Sequence, residues 1–331
     1  MKTNALWHLD SNRSALQETS LTEQEDEQYI TIKSLYSLIS TGTENLVATG
    51  KVPKALHQVM GVPYMDGDFS FPIKYGYSLV GEIISKGKNQ GKIVHLLHPH
   101  QQICRVKRED VFIVPDEVPA KRAALASNLE TAVNAIWDSR VSIGDQVLIV
   151  GFGMIGGLVA RLLSLMPAVN CQIIETNLER QKLAREMGFS VMDLDTPIEK
   201  MDIAFHTSSS SAGLQCAVDA VGFEGKIIEL SWYGEKATQI GLGGSFHHQR
   251  KQIISSQVGH IPSDKKARWN YRRRKELVFQ LLKNDLFDQH ISHSINFENS
   301  PEFFNQLRKG QLPTGIGWCI DYHNFEKPKI I

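Results

Sequence analysis

A glycine-rich turn between a strand and a helix constrains the fold of this chain more than any other feature. Four consecutive branched aliphatic residues at 147–150 predict a strand buried on both faces, and the apolar segment that begins at Leu158 predicts a helix. Gly151, Gly153 and Gly156 occupy the turn between them. The first glycine permits a tight turn, the second lets the backbone approach a pyrophosphate, and the third lets the helix pack closely on the strand. This pattern predicts a dinucleotide site at the helix N-terminus, although a tight turn without a ligand is the alternative.

A second predicted strand supplies the acidic residue that such a site needs. This strand ends in Glu175, close to the spacing of about 20 residues expected for an acid that binds ribose. The carboxylate can accept hydrogen bonds from ribose hydroxyls and would repel a 2′-phosphate, which favours NAD. Arg180 leaves NADP open, because a guanidinium can pair with that phosphate. Met154 and Ile155, which lie between the second and third glycines, complete the expected cofactor contacts.

Composition excludes several classes of protein. The chain has 331 residues, of which 42% are hydrophobic and 22% charged, as is ordinary for a globular protein of two domains. Lys plus Arg and Asp plus Glu both number 36, so no overall charge favours nucleic acid or a membrane surface. No apolar run is long enough for a signal peptide or a membrane span, and we expect a cytoplasmic protein. The cysteines lack CxxC spacing, which predicts reduced, buried thiols.

The order of the predicted elements indicates two domains. Residues 1 to about 120 alternate short apolar runs with Gly, Pro and polar turns, which is typical of a β-rich domain. Strands then alternate with helices from about 142 to 256, which predicts a parallel, doubly wound α/β sheet. The final segments resemble material that returns to the first domain. We therefore expect 1–122 with 289–331 to form the β-rich domain and 123–288 to form the dinucleotide-binding domain.

Two further motifs link this arrangement to a known superfamily. The segment GYSLVGEI at 76–83 is similar to the G-H-E-x-x-G-x-V motif of the medium-chain dehydrogenase/reductases, and TGTE at 41–44 is similar to their C-G-S-D. Over most of its length the chain resembles the zinc-type alcohol dehydrogenases and their zinc-free relatives. The resemblance implies a GroES-like N-terminal domain, a Rossmann domain that binds NAD or NADP, a small-molecule substrate and a homodimer.

The departures from these motifs fall on the zinc ligands of the family. Thr41 stands at the ligand cysteine, Tyr77 at the ligand histidine and Ser127 at the third ligand. Zinc binds thiolate, imidazole or carboxylate, and neutral hydroxyls cannot supply an equivalent tetrahedral site. The four-cysteine lobe that holds structural zinc in the family is also missing, since this region contains only Cys104. We therefore expect that the chain holds no metal.

Four hydroxyl side chains correspond to functional positions of the family. Thr43 matches the residue that orients a substrate oxygen, although such residues are often simply part of turns. Tyr77 could donate a proton to a carbonyl oxygen if a cation or polar network lowered its pKa from about 10, and core packing is the alternative. Thr41 is the third hydroxyl at this site. Thr131 matches a position beside the nicotinamide, or it could bond to a carbonyl of its own helix.

Several ionisable residues allow both a structural and a functional interpretation. We expect Glu44 and Glu130 to accept structural hydrogen bonds rather than to act as acid-base groups. His98 and His100 would share a face of a strand and could bind metal, but Pro99 suggests a loop and no nearby Cys, Asp or Glu completes a set. A loop that contacts substrate, or lies at the surface, is the favoured interpretation.

Two further segments carry imidazoles or many cations. His247 and His248 follow the predicted sixth strand and are expected at the surface. The basic run 265–275 is expected to be a solvated segment that leads into a helix. An anionic substrate group is its next candidate partner, and nucleic acid is disfavoured because no nucleic-acid-binding fold accompanies the run.

These observations predict an oxidoreductase that moves hydride between a nicotinamide and an alcohol or carbonyl carbon without zinc. Two alternatives remain at this stage. One is a quinone or enoyl reductase that acts on a conjugated C=C bond. The other is a dinucleotide-binding sensor that has lost its chemistry together with the zinc ligands.

The loss of the ligand residues leads to a prediction about metal content. The purified protein should contain well under one zinc per chain, because Thr41, Tyr77 and Ser127 cannot replace the family ligands. Elemental analysis measures this directly. Stoichiometric zinc, together with activity that a chelator removes, would contradict the prediction.

Overall fold

The computed structural model describes residues 2–21, 27–193, 198 and 200–323. Within it the chain divides into two compact units. The first comprises Met1–Ser127, Phe279–Pro313 and Gly317–Ile331, and the second comprises Asn128–Val278 and Thr314–Ile316. The domain boundaries expected from the sequence, after 122 and after 288, stay a prediction. Residues 324–331 of the expected C-terminal return lie outside the described residues.

The N-terminal part of the first unit is made mainly of short strands. Its elements are β1 (Lys2–Asp10), β2 (Arg13–Ser20), β3 (Tyr29–Ile39), α1 (Thr41–Ala48), β4 (Asp66–Gly67), β5 (Ile73–Lys74), β6 (Leu79–Ile83), β7 (Ile93–Leu96), β8 (Ile103–Lys107), β9 (Phe112–Ile113) and α2 (Ala120–Ala123), with 3-10 turns at Lys54–Leu56 and Arg108–Asp110. Alternate residues of β3 such as Ile30 and Ile32 are buried, as expected for a strand with one face on the core.

The middle of the chain alternates strands with helices. Its elements are α3 (Ala126–Ser139), β10 (Gln146–Val150), α4 (Met154–Ser164), β11 (Asn170–Ile174), α5 (Leu178–Glu186), β12 (Ser190–Val191), β13 (Met201–His206), α6 (Ser211–Ala220), β14 (Val221–Glu229), α7 (Ser245–His248), β15 (Gln252–Ser255) and α8 (Tyr271–Leu281). β-Branched and aliphatic residues dominate the strands, and helices α4, α5 and α6 connect successive strands of this region.

The C-terminal segment returns to the first unit. Its elements are β16 (His293–Asn296), α9 (Ser300–Arg308) and β17 (Trp318–Asp321), with 3-10 turns at Asp285–His290 and Phe297–Asn299. β17 pairs antiparallel with β3, and Ile320 lies opposite Ser37. The predicted return of the C-terminal segment to the β-rich domain is therefore confirmed.

The first unit contains two sheets. One has the order β2-β1-β5-β4, and the other has the order β16-β17-β3-β6-β7-β9 with β8 also paired to β3. Aromatic residues of the C-terminal segment, among them Phe304 and Trp318, pack with Leu6 and Ile39 of the N-terminal strands. These contacts join N-terminal and C-terminal segments of the chain in one hydrophobic core.

The second unit is built on one parallel sheet of six strands in the order β12-β11-β10-β13-β14-β15. Val147, Leu148 and Ile149 of the central strand β10 are fully buried, which is typical of a parallel sheet covered on both faces. The order reverses between β10 and β13, and this is the point at which doubly wound sheets bind ligands. The α/β fold with a Rossmann sheet and a β-rich domain, as predicted, is confirmed.

Carboxyl ends of three neighbouring strands lie side by side in this sheet. Val150 of β10 pairs with His206 of β13, and His206 pairs with Glu229 of β14. The residues that follow these strand ends therefore lie along one edge of the sheet.

A buried ionic cluster joins α3 to α8. Glu130 lies 3.2 Å from Arg274 and 2.5 Å from Lys275, and Arg274 also donates to the Asn134 side chain at 2.9 Å. Burial lowers the pKa of Lys275, against the opposing effect of the Glu130 carboxylate. The expectation of a fully solvated basic run is wrong for Arg274 and Lys275, because a carboxylate distant in sequence compensates their charge. The structural role expected for Glu130 is confirmed.

The four cysteines are free thiols, and Cys104 and Cys319 are buried. Burial raises the pKa of Cys104 to about 12, which makes it unreactive at neutral pH. Cys171 and Cys216 are half-buried, so the predicted burial holds for two of the four cysteines, and the reduced state stays a prediction. Within the described ranges, no helix combines the length and apolar character needed to cross a membrane.

Removal of the Glu130 carboxylate should destabilise the second unit strongly. Glu130→Ala leaves two buried cations without their anion, which should lower the free energy of unfolding by about 3–5 kcal/mol. The control is Glu186→Ala, which removes an exposed pair with Lys182 and should change that free energy by less than about 0.5 kcal/mol. Urea denaturation measures both values, and equal effects would show that the buried cluster has no special role.

Candidate functional site

The glycine turn connects β10 to α4. Gly151 has a φ of +102°, which glycine adopts without strain. A Cβ on Gly156 would lie 2.1 Å from the Gly151 carbonyl oxygen, so only glycine fits there. Gly153 is the N-cap of α4 and makes no side-chain bond to the first turn. The helix therefore presents its first-turn N–H groups without a side-chain cap, an arrangement suited to a phosphate.

The Glu175 carboxylate is held beside this turn. It is buried, with Oε2 accepting from the Phe152 N–H at 2.8 Å and Oε1 accepting from the Asn177 N–H at 2.9 Å. A carboxylate offers about four lone-pair directions, so acceptor capacity remains for a ligand hydroxyl. The geometry fits the role expected from the sequence, a ribose-binding acid beside the phosphate turn.

Three other expected cofactor contacts lie on helices of the chain. Met154 is buried and Ile155 half-buried in the first turn of α4, while Thr131 is half-buried in α3. Arg180 lies in the first turn of α5, where its N–H bonds the side chain of the N-cap Asn177 at 3.0 Å. Their parts in cofactor binding stay predictions.

A cluster of hydroxyls occupies the other expected site, in the first unit. The Tyr77 hydroxyl is hydrogen-bonded to the side chains of Ser40 and Thr43, and Thr41 begins α1 next to them in sequence. Burial and the nearby Glu44 carboxylate raise the pKa of Tyr77 to about 12, and the two hydrogen bonds offset only part of this. The direction is opposite to the lowered pKa that would favour proton transfer from Tyr77. The phenol stays protonated at neutral pH and can donate a hydrogen bond.

Thr41, Tyr77 and Ser127, which the motif similarity aligns with zinc ligands, carry neutral hydroxyls that do not fit a zinc site. The Ser127 hydroxyl donates to the Tyr77 carbonyl oxygen at 2.8 Å. The imidazole of buried His95 lies close by, with its Nε2 3.1 Å from the Ser78 Oγ and 3.3 Å from the Ser127 Oγ. In the part of the chain that the structure describes, no group of three or more His, Cys, Asp or Glu side chains could hold a metal.

His98 and His100 are buried. The expectation that they lie in a surface loop is therefore wrong, and a contact with substrate stays a prediction. His100 Nε2 lies 2.8 Å from the Glu44 Oε2, and its Nδ1 lies 2.7 Å from the Ser37 Oγ. Burial lowers the pKa of His98 to about 3, so this imidazole is neutral. Glu44 is an acid beside His100 that the sequence analysis did not place there, because the two residues are 56 positions apart in the chain. It also accepts from the Ser40 N–H, which confirms its structural role.

His247 and His248 are exposed in α7, which confirms the surface assignment. Their expected position after the sixth strand is wrong, because α7 precedes β15 in the chain. Helix α7 has only four residues, too few to show a helical pattern in the sequence. The sequence therefore did not indicate that a helix, and then β15, follow β14.

Sequence reasoning missed one cluster, at the carboxyl edge of the parallel sheet. His206 Nδ1 lies 2.8 Å from the Glu229 Oε2, and His206 Nε2 lies 2.7 Å from the Ser208 Oγ. Tyr233 donates to the same carboxylate at 3.0 Å. His206 and Glu229 end two successive parallel strands, and this position at the strand ends was the signal that could have revealed them.

The sequence was compared with protein-family models and with curated proteins. No protein-family model matches the sequence. The D-guloside 3-dehydrogenase of Escherichia coli (strain K12) is 26% identical over 200 residues, which cover 56% of this chain and 57% of that protein. The chain thus aligns with little more than half the length of this relative.

Solved structures share the fold over nearly the whole chain. The 2R,3R-butanediol dehydrogenase from Bacillus subtilis superimposes with a TM-score of 0.75 and 18% identity, covering 98% of this chain and 100% of the other. Acetophenone reductase from Geotrichum candidum, in complex with NAD, has a TM-score of 0.76 and 17% identity over 98% of both chains. At these identities the likeness establishes a common fold.

Proposed function

We propose that this chain, which resembles the alcohol dehydrogenase-like members of the medium-chain dehydrogenase/reductase superfamily, is a nicotinamide-dependent oxidoreductase acting on an alcohol or carbonyl compound. The observation that carries the proposal is the pairing of an uncapped α4 N-terminus with the Glu175 carboxylate, 2.8 Å from the Phe152 N–H of the same turn. The helix N-terminus suits a pyrophosphate, and the carboxylate suits a ribose.

The cofactor in this proposal is NAD, with NADP as the second candidate. First-turn N–H groups of α4 would hold the pyrophosphate, and Glu175 would accept from the ribose hydroxyls. The negative charge of Glu175 disfavours a 2′-phosphate, whereas Arg180 could pair with one. The NAD bound to acetophenone reductase is consistent with this choice.

The chemistry in this proposal proceeds without zinc. A bound nicotinamide would supply or accept the hydride. The chain must then stabilise the charge that develops on the substrate oxygen, and the hydroxyls of Tyr77 and Thr43 are the proposed donors. Since burial and Glu44 raise the pKa of Tyr77 to about 12, Tyr77 acts as a hydrogen-bond donor and not as a source of protons at neutral pH.

The proposed substrates are small molecules with more than one hydroxyl group. The names of the relatives, a D-guloside dehydrogenase and a 2R,3R-butanediol dehydrogenase, denote such compounds. The balanced charge of the chain favours neutral substrates over polyanions. The proposal also includes a cytoplasmic homodimer with no nucleic-acid or membrane partner, which light scattering and cell fractionation would test.

Turnover assays test the function directly. NAD⁺ or NADP⁺ reduction should be followed at 340 nm with a panel of diols, polyols and glycosides, and NADH oxidation with ketones and an alkenone. Turnover of an alcohol or ketone supports the proposal. Turnover restricted to the alkenone favours a reductase of conjugated double bonds, and tight NADH binding without any turnover favours a sensor.

Glu175 provides a prediction about cofactor choice. Glu175→Ala should weaken NADH binding and improve NADPH binding relative to NADH, because it removes both an acceptor for ribose and an anion that repels the 2′-phosphate. Glu175→Gln is the matched variant, since it removes the charge and keeps an oxygen that can accept from Phe152 N–H. Fluorescence titration should show the ratio of the two dissociation constants shifting by about tenfold in both variants. Unchanged ratios would remove Glu175 from the ribose site.

The hydroxyl cluster provides a prediction about the reaction. Tyr77→Phe and Thr43→Val should each lower kcat by at least about tenfold with little change in cofactor affinity, because each removes a donor to the developing oxyanion. Ser164→Ala is the control, since its hydroxyl bonds a backbone carbonyl of its own helix, that of Arg161. Steady-state kinetics on the best substrate of the panel measure the effect. Values of kcat near that of the unmodified protein in both variants would exclude these hydroxyls from the mechanism.

A further inference from the structure

A cavity of about 260 Å³ lies within the second unit, beside strands β14 and β15. Half-buried residues supply much of its lining, namely Trp137, Asp138, Lys226, Ile254 and Pro262. Exposed polar residues also line it, among them Arg140, Gln252 and Asp264. Apolar surface combined with a few polar groups is typical of a site for a small ligand.

The cavity is separate from the proposed dinucleotide site. Lys226 and Gln252, which both line it, are paired in the neighbouring strands β14 and β15. The pairing continues to Glu229 and Ser255, at the carboxyl ends of these strands. The three residues of strand from 226 to 229 span about 10 Å, and a doubly wound sheet binds its dinucleotide beyond the carboxyl ends. A ligand in the cavity would therefore occupy a second site.

Asp138 is a carboxylate of this cavity whose hydrogen-bond partners carry no charge. Its Oδ2 accepts from the Ser256 hydroxyl at 2.6 Å and from the Asn134 amide at 3.0 Å. Within the described ranges Asp138 forms no ion pair, and its Oδ1 has no hydrogen-bond partner. Burial and the neighbouring Asp264 carboxylate raise the pKa of Asp138, and the two hydrogen bonds oppose this. A cation in the cavity would compensate the charge of the ionised carboxylate.

Lys226 is a cation of the same lining that lacks a carboxylate partner. Its Nζ donates to the Ser139 backbone carbonyl at 3.3 Å, and in the part of the chain that the structure describes it forms no ion pair. An ammonium group has three donors, so two remain for a ligand. Arg140 and Asp264 compensate each other, with 3.5 Å between Nε and Oδ2. The charges left for a ligand are therefore a negative one at Asp138 and a positive one at Lys226.

Trp137 gives the cavity an aromatic wall. Its ring packs against Trp269 with 4.8 Å between the ring centroids, and the Arg273 guanidinium lies 4.2 Å from the centroid of the Trp269 ring. These contacts hold the Trp137 ring in place. Ile254 and Pro262 add further apolar surface. The lining thus combines apolar surface with two opposite charges.

We propose that this cavity binds a free α-amino acid with an apolar side chain. The ammonium group of the zwitterion lies at Asp138, its carboxylate lies at Lys226, and its side chain packs on Trp137. Pockets for drug-sized ligands measure roughly 300–1,000 Å³, so a cavity of about 260 Å³ suits a single amino acid. The inference is independent of the proposed function, since it requires neither a dinucleotide nor turnover.

A ligand with only one charge fits this lining less well. An amine without a carboxylate meets Lys226 as a like charge, and a carboxylate without an amine meets Asp138 as a like charge. Like charges brought together at a partly desolvated site disfavour binding. A zwitterion compensates both side chains.

Three ligands with the same apolar side chain test the proposal on the full chain. L-Leucine carries both charges, 4-methylpentanoate lacks the ammonium group, and 3-methylbutylamine lacks the carboxylate. Isothermal titration calorimetry should show L-leucine binding at least about tenfold more tightly than either analogue, because each analogue loses a hydrogen bond to a charged group. Should L-phenylalanine bind more tightly than L-leucine, 3-phenylpropanoate and 2-phenylethylamine are the matching analogues.

Two results with the unmodified chain would overturn the proposal. One is an affinity for the amino acid that is no higher than the affinity for either of its analogues. The other is the absence of binding by both L-leucine and L-phenylalanine at millimolar concentration.

Two variants locate the charges. Asp138→Asn removes the charge and keeps an oxygen for the Ser256 hydroxyl, so the preference for L-leucine over 4-methylpentanoate should fall to about threefold or less. Lys226→Met removes the ammonium group, so the preference for L-leucine over 3-methylbutylamine should fall equally far. A variant that only distorts the cavity would weaken all three ligands alike. A distortion of this kind, or retention of the tenfold preference in either variant, would overturn the proposed site.

Matched controls carry the same kinds of change at exposed positions of the second unit. Asp219→Asn, in α6, and Lys182→Met, in α5, should leave all three affinities within about twofold of those of the unmodified chain. Losses of preference in these controls equal to those in Asp138→Asn and Lys226→Met would show a general effect of charge and would also overturn the site.

Discussion

The close approach of α4 to the end of β10 determines the geometry of the second unit. Because a side chain at Gly156 would lie 2.1 Å from the Gly151 carbonyl oxygen, the helix can sit against the strand only with glycine at that position. This packing fixes the turn, and the turn fixes the Phe152 N–H that holds Glu175 at 2.8 Å. The groups proposed to bind phosphate and ribose are thereby set in place before any ligand arrives.

The same strand end organises the opposite half of the sheet. Val150 pairs with His206 and His206 with Glu229, so the cluster beside Ser208 is aligned by strand register rather than by a loop. Side chains on strand ends are held more precisely than side chains on loops, which favours a defined chain of hydrogen bonds. Its carboxylate stays ionised despite partial burial because His206, Ser231 and Tyr233 all donate to it.

Sequence reasoning predicted the fold well because its signals were local. Branched aliphatic residues at 147–150 and the three glycines lie within one short segment, and their meaning depends on spacing alone. The position of Glu175 beside the glycine turn was predictable for the same reason, and its role in ribose binding stays a prediction. Motif similarity also brought Thr43 and Tyr77 into one prediction, and the structure places their hydroxyls in one hydrogen-bonded cluster.

The residues that sequence reasoning misjudged have partners far along the chain. His100 and Glu44 are 56 residues apart, and Arg274 and Glu130 are 144 apart. Histidine and arginine side chains are usually exposed to solvent, so a sequence alone does not predict their burial. A partner brought close by the tertiary fold is needed to compensate a buried charge. The raised pKa of Tyr77 has the same origin, because burial and Glu44 outweigh the polar contacts that the sequence suggested.

A crystal structure of the full chain with NADH would test the central claim most directly. The account predicts pyrophosphate oxygens on the first-turn N–H groups of α4 and one ribose within hydrogen-bond distance of Glu175. A dinucleotide bound away from the glycine turn, or none bound at saturating NADH and NADPH, would contradict it.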